Sequence, residues 1–277
     1  MSLPDGLTFS QSSLQDYTDC PRRFKLRYLD RQPWPAPQTA DALEFERQML
    51  RGQAFHRLVR QVHSGIPPRL LQSVVEGDPH VARWLANYLA SGPGGLPEEV
   101  CEAEVTLSAV VAGHRLEARY DLLAGSPGGR WVIVDWKTSR RRSPRTWLCG
   151  RMQTRVYPWV LVEAGSSFNG DQAIEAGRVE MLYWFAEFPQ QVERVAYDAH
   201  TFASDDACLR ELIADMEALP LDGFVKTENR RSCRFCVYRS LCWEDVRAGP
   251  LSEAEEVEDG RSALEDIDVE SVAPIAF

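Results

Sequence analysis

Four cysteines near the two ends of the chain constrain its fold more than any other feature. Cys20 stands alone near the start, and Cys233, Cys236 and Cys242 follow near the end, with two and then five residues between them. Four thiolates suit either a tetrahedral zinc ion or an iron–sulfur cluster, and this spacing does not separate the two. A site shared by these residues would close a very long loop, which favours a structural role in joining the two ends.

The composition is that of a packed globular protein. The chain has 277 residues, of which 44% are hydrophobic and 10% aromatic, which suits one large domain or one domain with an accessory piece. No apolar run approaches the roughly 20 residues that span a bilayer, and residues 1–10 lack the basic and apolar regions of a signal peptide. These features predict a cytoplasmic protein without membrane contact. Cys101, Cys149 and Cys208 are then expected to be packed thiols.

The formal net charge of −10 conceals an uneven distribution. Residues 251–277 contain nine acids and one base, or −8, which leaves −2 for residues 1–250. We predict that residues 1–250 form the folded domain and that the acidic segment 251–277 is disordered. That segment is expected either to solubilise the protein or to screen a basic surface.

A basic surface is indicated between residues 136 and 162, where there is no acid and seven bases alternate with aromatic side chains. Cations for phosphates and aromatic rings for bases suit single-stranded nucleic acid. The alternative is a solvated loop of arginines beside core tryptophans. We predict that the tryptophans are mostly core and that these arginines bind DNA: Arg140, Arg141, Arg142, Arg145, Arg151 and Arg155.

Hydrophobic periodicity and turn residues predict a mixture of helices and strands. Helices are expected within 8–31, from about 42 to 62, in an insertion at 66–99 and around 202–218. A further helix around 146–164 is predicted to be interrupted or kinked at Pro158. Strands are expected at 101–107, 114–122, 131–137, 178–185 and 190–198, with a turn at 112–113 between the first two.

Two carboxylates and a lysine are predicted to meet on the central strands. Asp135 and Lys137 are two residues apart in a strand and therefore share a face, opposite Val132, Val134 and Trp136. Asp121 lies near the end of the preceding strand, in which Leu116, Ala118, Tyr120 and Leu122 are expected to form the opposite, apolar face. If the strands pair, the carboxylates converge, and such a pair suits Mg²⁺ or Mn²⁺. The alternative is that these residues are surface acids and a rim base.

Three further polar residues lie at helical spacings that allow them to join this group. His56 comes four residues after Gly52 on one face of a predicted helix, where glycine leaves space beside the imidazole. Gln153 and Tyr157 are also four apart on one face. Taken singly, each of the three is better explained by packing or solvation than by a site. Glu104 and Glu102, on the strand before Asp121, are further candidates for holding a metal.

These motifs together resemble, in order and spacing, the RecB-like branch of the PD-(D/E)XK nucleases. The resemblance rests on His56 after Gly52, on Asp121, on Asp135 and Lys137, on Gln153 and Tyr157, and on the cysteine frame, and it covers residues 8–243. The cysteine frame is similar to that of AddB-type and CRISPR-adaptation nucleases. The resemblance implies an α/β fold of the restriction-endonuclease type. A central mixed sheet flanked by helices would carry the helical insertion, and a strap would join the two ends.

The resemblance also implies a role for each site residue. His56, Asp121, Asp135 and the backbone carbonyl of Trp136 would hold Mg²⁺ or Mn²⁺. Lys137 would orient or help deprotonate the attacking water, while Gln153 and Tyr157 would position Lys137 and the DNA backbone. Cys20, Cys233, Cys236 and Cys242 would hold a [4Fe–4S] cluster, with zinc as the alternative.

The function implied is a metal-dependent DNase acting on single-stranded or frayed DNA, with exonuclease action favoured over endonuclease action. Its setting would be DNA repair and recombination or CRISPR adaptation, with a helicase or an integrase-type protein as a possible partner. Two alternatives stay open at this point. One is a non-catalytic DNA-binding or assembly subunit on the same fold, and the other is an RNase.

Overall fold

A six-stranded mixed sheet forms the centre of the protein in the computed structural model, which describes residues 3–4, 6–33, 40–75 and 77–242. The longest hairpin turns at Ala112 and Gly113. Both residues adopt positive φ, as a two-residue hairpin turn requires. The strands are β1 Thr8–Ser10, β2 Val100–Val111, β3 His114–Gly125, β4 Trp131–Lys137, β5 Val179–Phe185 and β6 Glu193–Ala196.

Strand β3 has three neighbours. Strand β2 pairs with it in antiparallel fashion from His114 to Gly125. The other edge of β3 is shared, because β1 pairs in parallel with residues 115–117 and β4 pairs in antiparallel fashion with residues 122–125. Strand β5 then lies parallel to β4, and β6 lies antiparallel to β5. Two strands therefore diverge along one edge of β3, and residues 118–121 lie at the fork between them.

Helices cover both faces of this sheet. On the described part of the chain the α-helices are α1 Gln11–Asp19, α2 Pro21–Phe24, α3 Ala40–His63, α4 Pro68–Val74, α5 Pro79–Ser91, α6 Arg145–Cys149, α7 Met152–Ala164, α8 Ala199–Ala218 and α9 Arg230–Arg234. A π-helical turn spans Lys25–Leu29, and 3₁₀ turns span Ser166–Asn169, Ala176–Arg178 and Arg239–Leu241. None of the described helices is long and apolar enough to span a membrane.

The two faces of the sheet have separate apolar cores. Ile133 and Tyr183 pack on one side with Leu14 of α1, Val156 of α7 and Ile213 of α8. On the other side, Val134 and Trp184 pack with residues of α3, α4 and α5, namely Phe55, Leu58, Val59, Leu71, Trp84 and Leu85. Alternate residues of β4 and β5 face opposite cores, as the strand period of two requires. The sheet therefore lies between the α1/α7/α8 layer and the α3/α5 layer.

Side chains of β2 and β3 alternate between the two faces of the sheet, and this alternation reverses at one position. Tyr120 and Val105 contribute to the core on the α7 side, whereas Leu122 and Ala103 contribute to the core on the α3 side. Glu104, between the paired positions 103–122 and 105–120, has φ of 59°. A left-handed residue breaks the extended geometry, so that residues two apart no longer share a face. The prediction that Leu122 shares a face with Leu116, Ala118 and Tyr120 is therefore wrong.

The structure confirms the α/β fold class with a central mixed sheet flanked by helices. The five expected strands are present, although the first two are longer than predicted. Two details are corrected: residues 8–10 form β1, and the break in the 146–164 region falls at residues 150–151, while Pro158 lies inside α7. The segment 66–99 contains α4 and α5. The acidic segment 251–277 lies outside the described residues.

Candidate active site

Asp121 occupies the fork in the sheet. The β3–β4 ladder ends at the pair Leu122–Val134, and beyond it the Trp136 backbone N–H donates to Asp121 Oδ2 at 2.8 Å. The other carboxylate oxygen, Oδ1, lies 3.2 Å from His56 Nδ1. Both side chains are almost fully buried, with 2% and 3% of their surface exposed. Asp121 thus connects a strand of the sheet with α3, the helix that covers one face.

Glu104 completes a group of three possible metal ligands. Its unusual backbone places it opposite Asp121, and Arg119 holds its Oε2 through Nε at 2.9 Å and Nη2 at 2.8 Å. One ligand atom each from His56, Glu104 and Asp121 lies within 4.8 Å of the other two. An imidazole and two carboxylates form a donor set that suits a divalent cation such as Mn²⁺ or Mg²⁺.

Lys137, Gln153 and Asp135 form a closed triangle on the α7 side of the sheet. Lys137 Nζ donates to Gln153 Oε1 at 2.9 Å and lies 3.1 Å from Asp135 Oδ2. Gln153 Nε2 donates to Asp135 Oδ1 at 2.6 Å. Nζ also lies 5.5 Å from the centroid of the Tyr183 ring. Each polar group is fixed by the other two, so the ammonium has a defined position beside the carboxylate.

Tyr157 lies one turn after Gln153 on α7 and is buried beside both carboxylates. Burial, followed by the negative charges of Asp135 and Asp121, raises the pKa of the Tyr157 phenol well above its ordinary value. The phenol therefore stays protonated at neutral pH and is able to donate a hydrogen bond. Its backbone carbonyl accepts from the buried Tyr120 hydroxyl at 3.1 Å, which fixes this turn of α7 against β3.

The predicted site residues therefore fall into two adjoining groups. His56 and Asp121 meet as expected, and the third member of their group is Glu104. Asp135 instead contacts Lys137 and Gln153. The observed backbone contact of Trp136 is a donation from its amide to Asp121. Metal ligation by Asp135 and by the Trp136 carbonyl stays a prediction.

Sequence reasoning underrated Glu104 and missed Arg119 and Gln48. The buried Gln48 side chain donates to the Thr138 carbonyl at 3.0 Å, which ties α3 to the residue after Lys137. A glutamate with positive φ has no signature in the sequence, and a buried glutamine on a helix reads as polar surface. The alternation of acids and apolar residues at 101–107 was the one available signal for Glu104.

Three of the predicted DNA-binding arginines in the loop after Lys137 form ion pairs with acids of the protein. Arg142 and Arg145 both pair with Glu193 of β6. Arg140 pairs with Glu44 of α3 at 2.7 Å. The loop after Lys137 is therefore held by contacts with α3 and β6, and Arg140, Arg141 and Arg145 on it are exposed.

The two arginines near the start of α7 differ in their surroundings. Arg151 lies 4.7 Å from the centroid of the Trp147 ring and 3.7 Å from Asp19. Arg155 pairs at 2.6 Å with the buried Asp205, which also accepts from the Tyr197 hydroxyl. Arg141 is exposed. Binding of DNA by this set stays a prediction, and Arg155 is the member engaged with a buried carboxylate.

The four cysteines at the chain ends line one pocket. Cys20, Cys233, Cys236 and Cys242 surround it together with three basic side chains: Arg23, Lys226 and Arg239. The Thr227 N–H donates to Cys20 Sγ at 3.4 Å, and the Arg22 N–H donates to the Val225 carbonyl at 3.1 Å. Burial raises the pKa of the Cys236 thiol to about 11. The segments around Cys20 and around Cys233–Cys242 therefore meet, as the positions of the cysteines predict.

The bases flanking this pocket are partly engaged by nearby acids. Asp16 is fully buried, and it pairs with Arg23 at 2.7 Å and with Arg27 at 3.1 Å. Lys25 pairs with Asp30 at 2.6 Å. Arg23 thus reaches the cysteine pocket from a fixed position. Because bases flank these cysteines in the sequence, they are predicted to form part of a DNA path.

The chain matches the sequence model of the PD-(D/E)XK nuclease superfamily over residues 8–243 and belongs to that superfamily. Among solved structures, SSO0001 has 15% identity to this chain over 89% of both chains, with a TM-score of 0.41. A protein of Eubacterium rectale, provisionally named an exonuclease, has 12% identity over 84% of this chain and 93% of its own, with a TM-score of 0.44. No curated protein matches significantly. Membership rests on the sequence match, because both TM-scores lie below 0.5.

Proposed function

We propose that this protein is a metal-dependent deoxyribonuclease of the RecB-like branch that hydrolyses phosphodiester bonds at single-stranded or frayed DNA ends. One observation carries the proposal: the Lys137–Gln153–Asp135 triangle lies beside the buried group of His56, Glu104 and Asp121. A binding subunit without catalysis has no use for a lysine fixed by a carboxylate and an amide next to a cation site. Membership of a nuclease superfamily supports the same conclusion.

The donor set fits a hard divalent cation. Nucleases of this superfamily use divalent metals, and two buried carboxylates that converge on an imidazole are costly without a cation. His56, Glu104 and Asp121 would hold Mg²⁺ or Mn²⁺, with Asp135 as the additional ligand that the family resemblance implies. When bound, the cation lowers the pKa of water and stabilises negative charge on the phosphoryl oxygens.

Lys137 is the residue that handles the attacking water in this proposal. Its Nζ is held by Gln153 and Asp135, so it is able to donate to a water oxygen from a fixed position. Hydrolysis forms a bond from that oxygen to phosphorus and breaks the bond from phosphorus to the leaving sugar oxygen, which takes up a proton. Tyr157 keeps its proton and supplies a further donor beside the carboxylates.

Burial of the site supports a thin, flexible substrate. His56, Asp121 and Asp135 are each no more than 4% exposed, and the Lys137 side chain is 11% exposed. A single strand or a frayed end is able to bring one phosphodiester into such a site, whereas an intact duplex is wide and stiff. Arg140, Arg141, Arg142 and Arg145 on the neighbouring surface would bind the phosphates. Access through an end favours exonuclease action.

For the cysteine pocket we propose a [4Fe–4S] cluster that joins the chain ends, with zinc as the alternative. Four thiolates from both ends suit either group, and Arg23, Lys226 and Arg239 would offset their negative charge. The resemblance of the cysteine frame to AddB-type and CRISPR-adaptation nucleases supports a proposed role in repair, recombination or CRISPR adaptation. A helicase or an integrase-type protein would then deliver the DNA end.

Cleavage by matched variants tests the nuclease proposal. We expect Lys137→Ala and Asp135→Ala to lose on the order of 10²–10³-fold in rate with Mg²⁺ or Mn²⁺ while remaining folded. Arg210→Ala, which removes a base of α8 that is paired with Asp206 outside both sites, should retain full activity. Undiminished cutting by both site variants would disprove the mechanism. Linear, circular, single-stranded and duplex DNA, together with RNA of the same sequence, separate DNase from RNase and exonuclease from endonuclease action.

Metal analysis tests the cysteine proposal separately. Protein purified without oxygen should be brown and carry iron and sulfide in equal amounts, about four of each per chain. Colourless protein that carries zinc instead would overturn the [4Fe–4S] assignment and leave the nuclease proposal unaffected.

A further inference from the structure

The cysteine pocket and the catalytic triangle are joined by one buried side chain, that of Gln15. Gln15 lies on α1, the helix that ends immediately before Cys20, and it is only 5% exposed. Its Oε1 accepts from the Met152 N–H at 2.9 Å, and its Nε2 donates to Asp19 Oδ1 at 2.8 Å. Both ends of the amide are therefore engaged, each on a different element.

The contact with Met152 supplies a cap that the N-cap residue of α7 does not provide. The first N–H groups of a helix have no partner within the helix. Arg151, at the N-cap position of α7, makes no side-chain capping hydrogen bond. Gln15 provides the missing acceptor from α1 and fixes the first residue of α7.

That first residue directly precedes Gln153. The Gln153 side chain holds both Lys137 Nζ and Asp135 Oδ1, so its position depends on where the first turn of α7 lies. If this turn frays, the amide moves away from Lys137, and a shift of about 1 Å is enough to lower catalysis strongly. The path runs from α1 through Met152 and Gln153 to Lys137, and each step in it is a direct contact or a peptide bond.

We propose that Gln15 is a positioning residue for Lys137, acting through the first turn of α7 and Gln153. It couples the catalytic triangle to the helix that carries Cys20 at its end. This inference rests on the proposed nuclease function. It gives the cysteine pocket a second consequence besides joining the ends, because movement of α1 is transmitted to the residue that orients the attacking water.

The first experiment compares two identical substitutions on the same helix. Gln15→Met keeps the length of the side chain and removes both hydrogen bonds, and we expect kcat to fall about tenfold with little change in KM for DNA. Gln11→Met is the control, because the Gln11 amide contacts only the neighbouring Ser12 hydroxyl among the hydrogen bonds described for it. Thermal unfolding and iron content are measured for both. An unchanged kcat for Gln15→Met overturns the proposal.

A double-mutant cycle separates positioning from a general structural effect. If Gln15 acts through Gln153, then Gln15→Met costs nothing further in a Gln153→Ala background. Equal losses in both backgrounds overturn the role of Gln15 while leaving the nuclease proposal intact. Undiminished activity of Lys137→Ala overturns both. Should Gln15→Met fail to fold, Gln15→Asn, which keeps an amide but is too short to reach Met152, takes its place in the same cycle.

Hydrogen exchange gives a readout that does not depend on activity. The Met152 N–H should be protected in the natural protein and should exchange faster in Gln15→Met. The exchange of the backbone N–H groups of the sheet should not change. Equal exchange of Met152 in the two proteins would show that Gln15 does not cap α7 and would overturn the proposal.

Discussion

The candidate catalytic group and the cysteine pocket are assembled in opposite ways. Asp121, Asp135, Lys137 and Glu104 project from strands whose register is fixed by backbone hydrogen bonds to neighbouring strands. The four cysteines lie outside the sheet, in or beside short helices and turns. The first site is therefore expected to tolerate loss of a side chain without unfolding, whereas the second contributes to stability by holding the two ends together. The comparison predicts which substitutions affect catalysis and which affect folding.

The largest expected effect is on catalysis, from Asp121→Asn. The asparagine keeps an oxygen that accepts from the Trp136 N–H and removes the charge that faces His56. We expect cleavage to fall on the order of 10³-fold and the midpoint of thermal unfolding to change by only a few degrees. A variant that is both inactive and unfolded would contradict the view that the ladder holds this site.

The next largest effect is on stability, from Cys236→Ser. Loss of one of the four proposed cluster ligands, which would close a very long loop, should lower the free energy of unfolding by about 3 kcal/mol. Cys208→Ser, which removes a half-buried thiol of α8 outside the pocket, serves as the control. Urea unfolding of the two variants measures the difference. Equal stabilities would break the comparison, because the pocket would then contribute nothing to joining the ends.

Two substitutions of Glu104 separate an effect on stability from an effect on metal binding at one residue. Glycine adopts positive φ without penalty and alanine does not, so Glu104→Gly should be more stable than Glu104→Ala by about 1 kcal/mol. This order is the reverse of the usual one in a strand. Both variants should bind Mn²⁺ more weakly than the natural protein, as measured by calorimetry. Greater stability of the alanine variant would show that the backbone at Glu104 is not strained.

The smallest expected effect concerns His63, which belongs to neither site. Burial lowers the pKa of His63 from its ordinary 6.5, and its Nε2 lies 2.6 Å from the Tyr88 hydroxyl. Its contribution to stability is complete above the unfolded-state pKa and is lost as the pH falls through the lower folded-state pKa.

Replacement of this histidine therefore predicts a pH effect of known sign. Below about pH 6.5 the natural protein should lose stability relative to His63→Gln, as followed by denaturant midpoints at several pH values. His200→Gln, at an exposed position, is the control. Loss of activity in His63→Gln at neutral pH would contradict the placement of His63 outside both sites.

The central part of the site could be predicted because it depends on local periodicity. Asp135 and Lys137 share a face by the period of two in a strand, and Gln153 and Tyr157 share a face by the period of a helix. His56 and Asp121 were candidates from their positions in a helix and a strand, the resemblance gave them the role of metal ligands, and the structure brings them to 3.2 Å. The meeting of the chain ends was likewise predicted from the positions of the cysteines.

What could not be predicted depends on long-range contacts or on strained backbone. The reversal of facing at Leu122 follows from one left-handed residue, and no periodicity signals it. Gln15 and Gln48 are buried only because elements distant in sequence pack over them. Pro158 is tolerated in α7, and the helix break lies instead at residues 150–151. Ordinary polar residues thus acquire roles that their types do not suggest.

The fork in the sheet also has a consequence for the order of folding. The fork exists only when β1, from the start of the chain, and β4, from its middle, have both been added to one edge of β3. Contacts between segments so far apart in sequence are costly to form and form late. A growing or partly folded chain therefore holds all the catalytic residues without the space between strands in which they meet. Nuclease activity is expected to be among the last properties that the folding protein acquires.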